Sequence, residues 1–231
     1  MTTDALHDVG TRLGRSARVP LLLAAAVALG AVFAATYVVT VRTLSGQQID
    51  NGAFVSWQQL NPFLGSFAQV LRPALPVALG VVCAVLGVLA LRARRWKDVV
   101  RAVAVVAVTV PLARWLRDVV LDRPDLADLA YPQNTLPSGH VAVTAALCVA
   151  VVFLWPRRSG ALVAWAVVVS LVACVASLLE HAHRPSDVVA SLVLVGAVTC
   201  LVLACTQRRT LPSDAPAARG IAREVEPPAS R

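Results

Sequence analysis

Charge is what this chain has least of: 15% of its 231 residues are charged and 58% are apolar. Ordinary soluble domains carry about a quarter charged residues. Mean hydropathy is +0.71. The uncharged stretches are long Ala/Val/Leu runs, and a soluble fold would have to hide several of them in one small core. That excludes a soluble class and leaves membrane spans. A disulfide or zinc framework is excluded too. The five cysteines, Cys83, Cys148, Cys174, Cys200 and Cys205, lie in or at the edge of apolar runs, where a thiol is a small hydrophobe. The formal net charge is +8, but the basic residues punctuate the ends of apolar segments. No solvated basic face remains to follow a phosphate backbone, so nucleic acid is not an expected partner.

The apolar runs number six: about Pro20–Val41, Val70–Leu91, Val99–Leu121, Val141–Trp155, Ala161–Leu179 and Val188–Cys205. The first follows Arg12, Arg15 and Arg18 as a signal peptide would. It outlasts the roughly 7–15 apolar residues of such a peptide, so it reads as a retained span. The fourth is short for a core that takes about 20 residues, so its ends must use Gly139, His140 and Pro156. Spanning segments satisfy their own backbone groups, so all six are expected to be helices. The expected fold is an all-α, six-transmembrane helical bundle over residues 20–205. Residues 1–19 form a cytoplasmic N-terminal segment, and 206–231 a disordered cytoplasmic tail without chemistry.

Placing both termini in the cytoplasm puts 15 of the 21 basic residues inside and leaves Arg42, Arg72, Arg114, Arg117, Arg123 and Arg184 outside. The positive-inside rule selects that orientation for a multi-pass protein of a bacterial cell membrane. The stretch Thr43–Phe67, with Gly46, Asn51, Gly52, Asn61 and Pro62, reads as an external loop near the headgroups. Its Phe54, Trp57 and Phe63 suit either a guard on lateral lipid access or a plain connector with interface anchors.

Three of the four histidines fall on two of the outside loops: His140 on one, His181 and His183 on the other. Around them the chain reads Arg117 to Arg123-Pro124, then Pro137-Ser138-Gly139-His140, then His183-Arg184-Pro185-Ser186-Asp187. Ser138 is a good N-cap for the fourth span, and Gly139 lets a backbone N–H approach a ligand. The first turn of that helix offers unpaired N–H groups and the positive dipole end, which together suit an anion. On its own this is also how a simple helix start looks. His183 and Asp187, four apart, share one face if a helix begins near Pro185. The carboxylate can then fix one imidazole nitrogen and leave the other nucleophilic. A capped helix with a surface pair would look the same. Arg117, Arg123 and Arg184 gather guanidinium forks, which match phosphate oxygens, on the charge-poor side of the membrane.

Arg-Pro, Pro-Ser-Gly-His and His with Asp four residues on, between about Arg114 and Asp187, resemble the type 2 phosphatidic acid phosphatase superfamily. The resemblance implies a six-span lipid phosphatase without metal or other cofactor, working through a phosphohistidine. By that likeness His183 attacks phosphorus, Asp187 orients it and His140 protonates the leaving group. Arg123, Ser138 and Gly139, with Arg117, hold the phosphoryl oxygens. The implied partners are the bilayer and a lipid phosphate or diphosphate, of phosphatidate or polyprenyl type, met on the outer side. The same intermediate would serve a phosphotransferase, and a silent lipid-phosphate-binding protein is the alternative of another class. The sequence departs from the family pattern twice. Leu116 stands where a Lys is usual, with Arg117 beside it, and Ala176-Ser177 stand where Ser-Arg is usual. Either Arg184 compensates for the second loss, or activity is reduced or absent. For Arg184 itself, snorkelling to lipid headgroups is the other reading.

Overall fold

The computed structural model describes residues 3–59, 62–126 and 133–208. The described chain is helical, without strands: α1 Thr3–Val41, α2 Leu44–Gln58, α3 Pro62–Arg92, α4 Trp96–Trp115, a π-helical turn Leu116–Val120, α5 Gly139–Leu154, α6 Gly160–Leu179 and α7 Pro185–Arg208. Five segments are long and apolar enough to cross a membrane: Arg18–Val41, Leu64–Arg92, Trp96–Val120, Gly160–Leu179 and Pro185–Gln207. The remaining expected span, the fourth, is α5, with 16 residues. That is about 24 Å of helix against roughly 30 Å of hydrocarbon. The six expected spans are therefore five long helices and one short one.

Packing accounts for the short helix. Ten of the sixteen residues of α5 are buried, and α3, α4, α6 and α7 all pack on it. It is the axis of the bundle. The non-helical stretch entering it is enclosed as well, with Leu136 and Ser138 fully buried, which is where irregular backbone is tolerated at membrane depth. The surrounding helices turn large apolar side chains outward, among them Val27, Val70, Val81 and Val167. Such a surface suits lipid and not water.

Three boundaries differ from expectation. α1 begins at Thr3 and runs unbroken through the division placed at residues 19 and 20. α7 continues to Arg208, and the rest of the expected tail lies outside the described residues. The third difference is a correction, because the expected external loop Thr43–Phe67 is largely helix. Thr43 caps α2 by accepting from the Gly46 N–H at 3.1 Å. Gln47, Asp50 and Phe54, spaced three and four apart, are buried, while Leu44, Ile49 and Val55 are exposed. The usual polarity is partly reversed: Gln47 and Asp50 face the protein beside Phe54, while Leu44, Ile49 and Val55 face away. A search for apolar periodicity passes over such a pattern.

Two helix ends use the same device. α3 is followed by Arg94 and α6 by His181, each with a positive φ (56° and 58°). The N–H groups of Arg95 and Ala182 reach back to the carbonyls of Ala90 and Ser177 at 2.8 and 3.3 Å. These are left-handed C-terminal caps built without glycine. The second one turns the chain toward His183.

Candidate active site

One end of the bundle collects α2, the π-helical turn, residues 121–126 and 134–138, and the adjoining ends of α5, α6 and α7. α7 starts at Pro185, which places Asp187 in its first turn. His183 Nδ1 lies 3.5 Å from Asp187 Oδ2, with both side chains buried. That is a long contact of the kind that tightens when substrate binds. Because the carboxylate faces Nδ1, Nε2 is the nitrogen left to react. Asp187 is held rigidly: its Oδ2 accepts from Thr135 Oγ1 and from the Arg184 backbone N–H at 2.9 Å.

Ser138 N-caps α5 as expected, its hydroxyl accepting from Val141 N–H. Its backbone N–H donates to the Asp187 carbonyl at 3.2 Å, and Ser191 Oγ lies within bonding distance of both the Ser138 and Asp187 carbonyls (3.0 and 2.7 Å). The two motifs are thereby locked together. A Cβ placed on Gly139 would come within 3.3 Å of Arg117 Nη1, so the guanidinium lies against the glycine. Arg117 projects from the π-helical turn, a wide turn that often marks a functional position, and it also pairs with Asp118 at 2.8 Å.

Arg123 is the most unusual group. Its side chain is 1% exposed, 3.6 Å from Asp187 and 3.8 Å from Asp50. None of its three guanidinium nitrogens has a hydrogen-bond partner among the described residues. A buried donor left so costs about 1–3 kcal/mol, more when charged. Arg184 is also buried, so it does not snorkel to lipid. It stacks over Phe54 at 5.6 Å and reaches Thr135 Oγ1 at 3.4 Å. Ser177, at the position of the usual arginine, is buried with its hydroxyl turned back onto the Ala173 carbonyl at 2.9 Å.

His140, half-buried in the first turn of α5, contacts Arg72 of α3, with Arg72 Nη2 3.0 Å from His140 Nδ1. Arg72 is also ion-paired with Glu180 at the end of α6. Burial first, then the Arg72 charge, hold the imidazole below its ordinary pKa, with Glu180 pulling the other way. His181 is exposed at the cap and stays outside this cluster.

The expected residues His140, His183, Asp187, Arg117, Arg123, Ser138, Gly139 and Arg184 thus lie at one end of the bundle. Sequence reasoning missed their supports. Asp50 accepts from Ser186 N–H at 3.0 Å and Ser186 Oγ at 2.6 Å. Burial holds its carboxyl above the ordinary aspartate range. Gln47 donates to the carbonyls of Val41 and Pro124 at 2.7 and 2.6 Å. Asn134 Nδ2 lies near the Arg117 and Leu121 carbonyls at 3.1 and 2.9 Å. Local sequence carries no signal for the contacts of Asp50 with Ser186 and of Gln47 with Pro124, 136 and 77 residues away. Only Arg72 left a trace, as a cation on the charge-poor side.

Residues 114–211 match the family model of the PAP2 superfamily. The matched stretch includes both histidine loops and leaves α1, α2 and α3 outside. No curated protein and no solved structure matches the chain.

Proposed function

We propose that this protein is a membrane phosphatase that hydrolyses a lipid phosphate or diphosphate through a phosphohistidine on His183, without a metal. The observation that carries the reading is the buried Arg123 guanidinium. Ion-paired with Asp50 and Asp187, its nitrogens have no hydrogen-bond partner among the described residues, and it stands beside the His183–Asp187 pair and the capped start of α5. A site that keeps such a group unsatisfied suits an anion that completes it. Members of the PAP2 superfamily are phosphatases, which supports the same chemistry.

Hydrolysis of phosphate monoesters is among the slowest uncatalysed reactions, with accelerations up to ~10²¹-fold. The site offers the needed parts. Arg123, Arg117, the Gly139 N–H and Ser138 stabilise the equatorial oxygens, His183 Nε2 attacks, and His140 serves the leaving oxygen. The exposed apolar flanks point to a substrate with acyl or prenyl tails, and the count of basic residues favours a site facing outward.

The test is turnover by the purified full chain on a panel of lipid phosphates, with denaturing isolation of the acid-labile phosphoenzyme. Wild type is expected to accumulate label, and His183→Ala to lose both label and turnover. Activity should persist in chelator. A His183→Ala protein with near wild-type turnover, or activity abolished by chelator and restored by Mg²⁺, would refute the mechanism. Lipid-phosphate binding without turnover would favour the silent reading that Ser177 in place of arginine suggests.

A further inference from the structure

Arg72 lies outside the matched segment and outside every motif, yet it touches the imidazole that serves the leaving group. A guanidinium can only donate, so the 3.0 Å contact makes His140 Nδ1 an acceptor. The ring is then neutral, with its single proton on Nε2. That form is unsuited to either half of the reaction. The leaving oxygen needs an imidazolium, and the water that later attacks phosphohistidine needs a lone pair on Nε2. Both require a proton on Nδ1, where Arg72 now sits. The acceptor for that proton is already in place, since Glu180 is bound to the same guanidinium.

We propose that Arg72 is a substrate-gated positioning residue: a phosphoryl anion draws it off His140 Nδ1, and Glu180 takes over that nitrogen. The proposal rests on the phosphatase reading above. Charge-assisted bonds from guanidinium to phosphate are stronger than those to a neutral imidazole, which gives the exchange its direction. Arg72 Nε, buried and without a hydrogen-bond partner among the described residues, gains one in the move.

The protons balance through both steps. His140 acquires its Nδ1 proton from the incoming monoanionic phosphate or from water, and Glu180 accepts the bond. His183 Nε2 then bonds to phosphorus, the P–O bond breaks with its electron pair on the leaving oxygen, and that oxygen takes the Nε2 proton of His140. His140 is now neutral with its proton on Nδ1 and a lone pair on Nε2. Water attacks phosphorus and gives its proton to that lone pair, and the N–P bond returns its electrons to His183. Release of phosphate lets Arg72 return and expel the Nδ1 proton. One exchange supplies an acid and then a base from a single ring.

The groups facing His140 are Arg72 from α3, Arg117 from the turn after α4, Glu180 from the end of α6 and His183 from the loop before α7. Three of these oppose its protonation and Glu180 favours it. Removing Arg72 should therefore raise the His140 pKa and shift the basic limb of kcat/KM to higher pH by about one unit. Glu180→Gln should shift that limb to lower pH.

The test is imidazole ¹⁵N resonance on full-length protein with labelled histidine, His140 being assigned through His140→Gln. With wild type at neutral pH, Nε2 alone should be protonated, and saturating inorganic phosphate should protonate Nδ1. Arg72→Met should show the Nδ1 proton without phosphate, move the basic limb upward and lower kcat by about 10²-fold. Should Arg72→Met fail to fold, Arg72→Lys keeps the charge but is too short to bridge both partners, and should behave the same at Nδ1. Unchanged His140 nitrogens on adding phosphate, or a basic limb that stays put while kcat falls, overturns the proposal. Wild type that turns over without the nitrogen change sinks the Arg72 role alone. Wild type that shows the nitrogen change but hydrolyses no lipid phosphate sinks the phosphatase reading instead.

Discussion

Both ends of the bundle are rich in arginine, yet they treat it in opposite ways. At the end away from the histidines, Arg95 donates to Asp98 Oδ2 at 3.0 and 2.8 Å. It also lies within bonding distance of the carbonyls of Leu154, Phe153 and Trp155 (2.8, 3.1 and 3.1 Å). It fills the unpaired C-terminal carbonyls of α5. Arg158 and Arg101 join the same carboxylate at 2.7 and 3.6 Å. At the histidine end Arg123 is more deeply buried, and its nitrogens have no hydrogen-bond partner among the described residues. A satisfied guanidinium fastens a helix. An unsatisfied one is retained against its cost only where something else gains from it.

The sharpest way to break this comparison is to make the same change at both ends. Arg123→Lys keeps a charge between Asp50 and Asp187 but loses the planar fork. It is expected to lower kcat/KM by about 10²–10³-fold with little change in thermal unfolding, because the ion pairs survive. Arg95→Lys should do the reverse. One ammonium cannot serve three carbonyls and a carboxylate, so stability falls by about 1–3 kcal/mol. The kcat/KM of the folded fraction stays at wild type. Equal losses of stability at both ends would show that Arg123 is only another fastener.

A subtler contrast lies in the carboxylates. Asp98 is partly exposed and surrounded by cations, whereas burial holds the Asp50 carboxyl above its ordinary pKa. The sign follows from which state binds protons. Between the unfolded value near 4 and the higher folded one, the native protein binds more protons than the unfolded chain. Asp50 therefore contributes a loss of stability as pH rises through that window. Asp50→Asn removes the charge and keeps an acceptor for the Ser186 N–H. Its unfolding temperature relative to wild type should climb as pH is raised from about 4 toward neutrality. A difference that is flat or falling would mean the carboxylate is well compensated.

What the sequence revealed follows the range of the interactions. The His183–Asp187 pair, the Ser138 cap and the helix start at Pro185 are set within four residues, so spacing alone located them. The long spans were legible because lipid demands continuous apolar runs. α2 was misread because Gln47 and Asp50 face inward, which reverses the usual polarity of a surface helix. Arg72 and Asp50 were missed because His140 and Ser186 lie 68 and 136 residues away. No local pattern records a contact that only the packing of α3 and α2 creates. Arg184, next to His183, lies over Phe54 and against Thr135. The structure places another guanidinium against His140, and it comes from α3.

The smallest expected effect tests how far the contrast extends toward the surface. Asp122, next to Arg123, takes the Tyr37 hydroxyl on its carbonyl at 2.8 Å and Arg42 on its carboxylate at 2.6 Å. Arg42 and Asp122 are 43% and 74% exposed, so by the usual weakness of exposed pairs Arg42→Gln should leave stability unchanged. The tyrosine differs, because its bond is to the backbone that carries Arg123. If the unsatisfied guanidinium is aimed by its chain, loosening that chain spreads the aim without unfolding anything. Tyr37→Phe is then expected to lower kcat/KM about two- to fivefold, a loss on the scale of one net hydrogen bond. Thermal unfolding should stay at wild type. Gln47 clamps the same segment from α2 through Pro124, which keeps the effect small. Combining Tyr37→Phe with Gln47→Ala removes both clamps on one short segment. Its loss in kcat/KM should exceed the product of the two single losses, since either clamp alone still aims Arg123. A strictly multiplicative result would mean that the two clamps act independently and that Arg123 is aimed by its burial alone.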